Sequence, residues 1–129
     1  MRFVKANGLV VHCLDEGRQS GPPLAFINSL GTDLRIWDEV SLILEADFRI
    51  VRYDKRGHGL SESGPDPCEM ADYARDLSAL LDIVGVGRAT IVGLSIGGMI
   101  AQELYRQRPE LIAALVLCDA GAKIGTDES

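Results

Sequence analysis

The stretch Thr90-Ile91-Val92-Gly93-Leu94-Ser95-Ile96-Gly97-Gly98 decides how this chain folds. Ala89–Leu94 is a short apolar run of the kind that forms a strand buried on both faces, and Ile96–Arg108, closed by Pro109, has the spacing of a helix. Between them, G-x-S-x-G puts a serine on a sharp strand-to-helix turn. Such a turn holds the serine in a strained backbone conformation. It requires Gly93 and Gly97, because a Cβ at either would collide with the neighbouring element. Ser95 is therefore expected at the C-terminal edge of a sheet, with the N–H of Ile96 and the positive end of the helix dipole beside it. The competing reading is a serine that only caps a helix after a glycine-rich turn. Nucleotide-binding patterns fail on detail: there is no G-x-x-x-x-G-K-[ST], and Ser95 stands where a dinucleotide fingerprint has its second glycine.

Working outward, the turn signals arrive at the spacing of alternating strands and helices. Arg2–Lys5 and Leu9–Asp15 are strand-like and joined by Asn7-Gly8, a dipeptide suited to a tight hairpin, so the chain starts antiparallel. Leu24–Asn28 and Phe48–Tyr53 are further strands. A helix is predicted over Leu34–Leu44 with Asp33 as its cap. Pro67 and Cys68 lead into the clearest helix, Met70 to Val84, which Gly85 should stop. Ile112–Cys118 is a final strand. The predicted fold class is α/β: about six strands in a mostly parallel sheet with right-handed crossovers and helices on both faces.

Composition narrows the function. Of 129 residues, 47% are apolar and 25% charged, and 13 basic against 19 acidic side chains give a net charge of −6. No Lys/Arg cluster exists to track a nucleic acid or an anionic membrane, and no apolar run approaches the ~18 residues of a spanning helix. With no signal-peptide pattern at the N-terminus, a cytoplasmic location is expected. Cys13, Cys68 and Cys118 are odd in number and widely spaced, suggesting neither a disulfide framework nor a cysteine metal site.

A serine nucleophile needs a base, and the chain has two histidines, His12 and His58. In a doubly wound sheet the Phe48–Tyr53 strand is separated from the Ser95 strand by Leu24–Asn28. His58, pinned between Gly57 and Gly59, is then too far for a direct hydrogen bond and reads as structural. His12 reads as a half-exposed residue on an edge hairpin. Asp119 is an acidic triad partner or, the favoured reading, an ordinary loop cap. The loop Asn28-Ser29-Leu30-Gly31 is the place for a second oxyanion donor, the Leu30 N–H, or is an ordinary strand-to-helix turn. Arg35 and Trp37 follow it and are candidates to line a substrate pocket. Arg35 would offer a fork to a substrate carboxylate, against the plainer reading of a solvated helix-surface arginine.

Three stretches carry a family resemblance: Asn28-Ser29-Leu30-Gly31-Thr32-Asp33 with Trp37-Asp38; Arg52-Tyr53-Asp54-Lys55-Arg56-Gly57-His58-Gly59-Leu60-Ser61; and Gly93-Leu94-Ser95-Ile96-Gly97-Gly98 with Gln102. In order and spacing the chain resembles the N-terminal half of an α/β-hydrolase of the 3-oxoadipate enol-lactonase family, and the exit from the last strand, Asp119 to Thr126, adds to the likeness. The resemblance implies Ser95 as nucleophile, Leu30 and Ile96 as oxyanion-hole donors, and no metal or organic cofactor. The implied reaction is hydrolysis of 3-oxoadipate enol-lactone to 3-oxoadipate in the β-ketoadipate pathway of aromatic degradation. Family members run to roughly twice this length, and their cap, acid and histidine lie in the second half. Residues 1–129 are accordingly expected to form the N-terminal half of one domain, inactive by itself and completed by a C-terminal half.

Two alternatives stand beside this expectation. One keeps the hydrolase chemistry on a generic carboxylic ester or the peroxide-forming side reaction of related esterases. The other is a non-catalytic binding module that kept the fold's front half, supported by the lack of a usable histidine and opposed by the intact G-x-S-x-G turn.

Overall fold

A computed structural model describes residues 2–65 and 68–119. Six strands, β1 (Arg2–Ala6), β2 (Leu9–Gly17), β3 (Pro23–Ile27), β4 (Arg49–Tyr53), β5 (Ala89–Leu94) and β6 (Ile112–Cys118), form one sheet in the order β1-β2-β4-β3-β5-β6. Asn7 and Gly8 both take positive φ, 52° and 82°, and turn β1 antiparallel onto β2. β2 pairs antiparallel with β4, whereas β4, β3, β5 and β6 run parallel. Residue pairs such as Ala25–Ile91 and Ile27–Gly93 fix the register of β3 against β5, so the loops after these two strands leave the sheet side by side.

Helices cover both faces, as the alternation of apolar runs implies. On one face α2 (Met70–Ile83) and α3 (Ile96–Gln107) bury Leu77, Leu80, Leu81, Ile100, Ala101 and Leu104 against Ala25, Ile27, Val51 and Ile91. On the other, Trp37 and α1 (Asp38–Leu44) cover Leu24, Phe26 and Ile50. Gly85, at φ 79°, follows the end of α2 as expected. A bidentate pair between Arg56 and Asp76, at 2.7 and 2.8 Å, ties the loop after β4 to α2, and Asn7 Nδ2 donates to the same carboxylate.

The predicted helix over Leu34–Leu44 is in fact two segments, a 3-10 turn at Leu34–Trp37 followed by α1. The cause is tertiary. Arg52 on β4 donates to the Leu34 carbonyl at 2.9 Å, so the Asp38 N–H bonds to Arg35 one residue later. The cap is as expected, with the Asp33 carboxylate accepting the Arg35 N–H at 2.9 Å. Among the described residues no helix is long and apolar enough to cross a membrane. Pro67 and the stretch from 120 to 129, including most of the exit from β6, lie outside the described residues.

Candidate active site

Ser95 sits between β5 and α3 at φ 58° and ψ −119°, a combination far from any helical or extended well. Holding a non-glycine residue there costs on the order of 1–3 kcal/mol, and the surrounding backbone enforces it. The Ser95 N–H donates to the Cys118 carbonyl at 2.9 Å, and the Ser95 carbonyl accepts from Gly98 at 2.9 Å. A Cβ on Gly93 would lie 2.3 Å from the Gly97 carbonyl oxygen, and one on Gly97 2.5 Å from that of Ile27. The side chain makes no capping bond to α3, which removes the alternative of a simple helix cap. Instead Ser95 is half-buried at the head of a helix whose first N–H groups, beginning with Ile96, have no intrahelical acceptor.

Beside it, β3 ends at Ile27 and the chain enters a tight loop. Asn28 is fully buried and its amide bonds across the loop to the backbone carbonyl and hydroxyl of Thr32. The Ser29 carbonyl is the focus of the loop: it accepts from Thr32 Oγ1 at 2.8 Å, from the Thr32 N–H at 3.3 Å and from Lys55 Nζ at 2.9 Å. Lys55 is 1% exposed, and burial lowers its ammonium to about 8 despite the opposing charge of Asp54. Among the described residues the Leu30 N–H has no acceptor, while the Leu30 side chain is 65% exposed.

The other predicted residues separate. Arg35 is exposed, and its guanidinium forks onto the Asp33 carboxylate at 2.7–3.2 Å, holding that acid down at about 2. Trp37 is not a pocket wall: it is 7% exposed and packs on Phe26 with ring centroids 4.8 Å apart, because the 3-10 turn points it inward at the sheet. His58 is half-buried and donates from Nδ1 to the Arg56 carbonyl at 3.0 Å between Gly57 (φ 74°) and Gly59 (φ 52°). Asp119, exposed and at φ 50°, directly follows Cys118, which pairs with Leu94, so it leaves the sheet next to Ser95.

His12 corrects its expected half-exposed placement. β2 lies inside β1 in the sheet, and the ring is only 6% exposed, with Phe3 tilted over it at 5.0 Å. Its Nδ1 donates to Asp54 at 2.7 Å, and Nε2 is buried without a partner. The Asp54 carboxylate also accepts the N–H groups of Leu34 and Leu60 at 2.8 and 2.9 Å, joining β2, β4 and two loops. Sequence reasoning missed this hub. Only Asp54's place at the head of a glycine-rich loop pointed to it. Three strand spacings of ~4.8 Å separate β2 from β5, so the pair lies too far from Ser95 to serve it as a base. A cavity of about 510 Å³ borders His12, Asp54, Leu34, Arg35 and Leu60, and Ser95 is not among its lining residues.

Among the described residues no group of three or more His, Cys, Asp and Glu could hold a metal ion. What the arrangement offers is a serine on a strained turn at the head of a helix, with the loop after β3 leaving the sheet beside it, an arrangement suited to acyl transfer.

The chain is similar to known proteins. Residues 22–129 match the family model described as the alpha/beta hydrolase fold. The chain is 35% identical over 109 residues to 3-oxoadipate enol-lactonase 2 of Acinetobacter baylyi, covering 84% of this chain and 41% of that protein. Among solved structures, the enol-lactonase from Burkholderia xenovorans LB400 superposes with a TM-score of 0.92 at 34% identity, over 98% of this chain and 50% of that one. A hydrolase from Pseudomonas aeruginosa PA01 gives 0.91 at 38% identity, over 96% and 47%. The chain thus spans about half the length of these relatives. With residues 22–129 matching that family's model, the chain belongs to the α/β-hydrolase fold family.

Proposed function

We propose that this chain carries the nucleophile and the oxyanion hole of a serine-dependent ester or lactone hydrolase, acting on 3-oxoadipate enol-lactone. The observation that carries the reading is the backbone of Ser95, φ 58° and ψ −119°, held between two glycines that admit no Cβ. In the reaction, Ser95 Oγ attacks the lactone carbonyl while a histidine takes its proton. The N–H groups of Leu30 and Ile96 receive the oxyanion. The intermediate collapses by breaking the ring C–O bond, and the histidine returns the proton to the departing enol oxygen. Water then hydrolyses the acyl-enzyme, and the released enol rearranges to the ketone. His12 and His58 are held elsewhere, so histidine, acid and cap are assigned to a C-terminal half, as the share of the relatives covered by this chain suggests.

Mixing the chain with such a half and following lactone opening tests the reading. Turnover is expected only with both parts present, and a fluorophosphonate probe should label Ser95 under the same condition. Undiminished activity in Ser95→Ala would refute the assignment. An uncharged carboxylic ester is a second reading, favoured by the Arg35 fork already being engaged by Asp33 rather than open to a substrate carboxylate. Competing kinetics on the enol-lactone and a neutral aryl ester separate the two.

A further inference from the structure

We propose that Lys55 is a positioning residue of the oxyanion hole, orienting the Leu30 N–H toward Ser95 by holding the opposite end of the same peptide group. The inference rests on the reading of Ser95 as nucleophile and adds a part to that site.

The argument is one of sheet order and peptide planarity. β3 lies between β4 and β5. Lys55 follows β4 and Ser95 follows β5, so they flank the loop after β3 from opposite sides. The Ser29 C=O and the Leu30 N–H belong to one planar trans peptide and point in opposite directions. Lys55 Nζ holds the Ser29 oxygen at 2.9 Å from the β4 side. The Leu30 N–H is thereby turned toward the β5 side, where Ser95 stands, and among the described residues it has no acceptor of its own.

Two further observations separate this role from that of an ordinary tether. Lys55 is 1% exposed, and among the described residues Ser29 is the single acceptor of its ammonium. The neighbouring Asp54 carboxylate is occupied by His12, Leu34 and Leu60. Burying an ammonium against one carbonyl is unfavourable for folding, and a methionine of similar length would fill the space without that cost. A cation at this place does have a use in catalysis. Its charge polarises the Ser29–Leu30 amide and strengthens the N–H as a donor at the moment the oxyanion forms.

The test uses the catalytically competent protein, this chain with its completing half, and compares wild type, Ser95→Ala and Lys55→Met. Removal of one oxyanion donor typically costs about 100- to 1000-fold in kcat. Loss of its orientation is expected to cost about 10- to 100-fold. KM should stay within about threefold, and a boronate that mimics the tetrahedral intermediate should weaken by the same factor as kcat while product affinity is unchanged. Lys55→Gln keeps an N–H donor one atom shorter and should fall between the two; it carries the test if Lys55→Met does not fold. A tether role would lower the unfolding midpoint and weaken product and boronate together. That pattern, or an unchanged kcat in Lys55→Met while Ser95→Ala abolishes turnover, overturns the role of Lys55 alone. Turnover surviving Ser95→Ala overturns the nucleophile reading and this inference with it.

Discussion

Replacing Gly93 by alanine probes the contact on which the Ser95 turn depends. The added Cβ would stand 2.3 Å from the Gly97 carbonyl oxygen, 2.4 Å from its carbon and 2.6 Å from the Gly98 nitrogen, all backbone atoms that no rotamer change can move. Since real Cβ contacts essentially never fall below 3.0 Å, the start of α3 must retreat by at least 0.7 Å, that is 3.0 minus 2.3 Å. A gap of this size forfeits about a quarter to a half of each dispersion contact across it. The side chains that lose contact, Ile100, Ala101 and Leu104, are fully buried. Overpacking of this kind costs typically ~1–3 kcal/mol, and we expect Gly93→Ala at the upper end, about 3 kcal/mol. Gly87→Ala is the control: nothing lies within 4 Å and its φ is not positive, so it should be neutral or stabilise by up to ~1 kcal/mol. Gly85→Ala lies between them, open in space but at φ 79°, at a cost of about 1–2 kcal/mol. Urea unfolding with a common m-value reads all three. A Gly93→Ala midpoint equal to that of Gly87→Ala would refute the close-approach argument.

Asp54→Ala leaves His12 Nδ1 and the N–H groups of Leu34 and Leu60 without their acceptor, so a loss of about 3 kcal/mol or more is expected in the same assay, with Asp54→Asn costing less because one oxygen remains. Asp76→Ala strands the buried Arg56 guanidinium and should cost about 3–5 kcal/mol, whereas replacing both partners by apolar residues should recover most of it, as a double-mutant cycle will show. Lys55 makes stability depend on alkaline pH. Its folded value near 8 lies below the ordinary 10.5, so the unfolded chain binds more protons between them and stability rises with pH across that window, by about 3 kcal/mol in all. The difference between wild type and Lys55→Met in urea midpoints at pH 7.5 and pH 10 should show this rise, and a flat difference would contradict it.

Much of the fold was legible because local signals agreed with each other. Asn7-Gly8 supplied two positive φ angles, Gly85 ended α2, and Ala89–Leu94 and Ile112–Cys118 appear as strands with the expected bounds. The turn at Ser95 was legible for the same reason, since Gly93 and Gly97 are explained only by the close approach of β5, α3 and β3. Where expectation failed, a distant partner had intervened. Arg52 took the Leu34 carbonyl and tightened the first turn of the predicted helix, and the inward face of that turn made Trp37 a core residue. His12 is expected to be half-exposed on an edge hairpin, but β4 pairs on the other side of β2, and the Asp54 carboxylate there takes the ring's Nδ1–H.

The sequence by itself determined the alternation of strands and helices, the serine on its strained turn and the family to which these belong, because each is written in residues close together along the chain. Only the tertiary structure decided that β4 pairs on the far side of β2, that Asp54 joins two strands and two loops, and that the Lys55 ammonium meets the Ser29 carbonyl. These depend on which strands become neighbours, and neighbours are chosen by burying apolar faces common to the whole sheet. The spacing of any one motif carries no record of that choice.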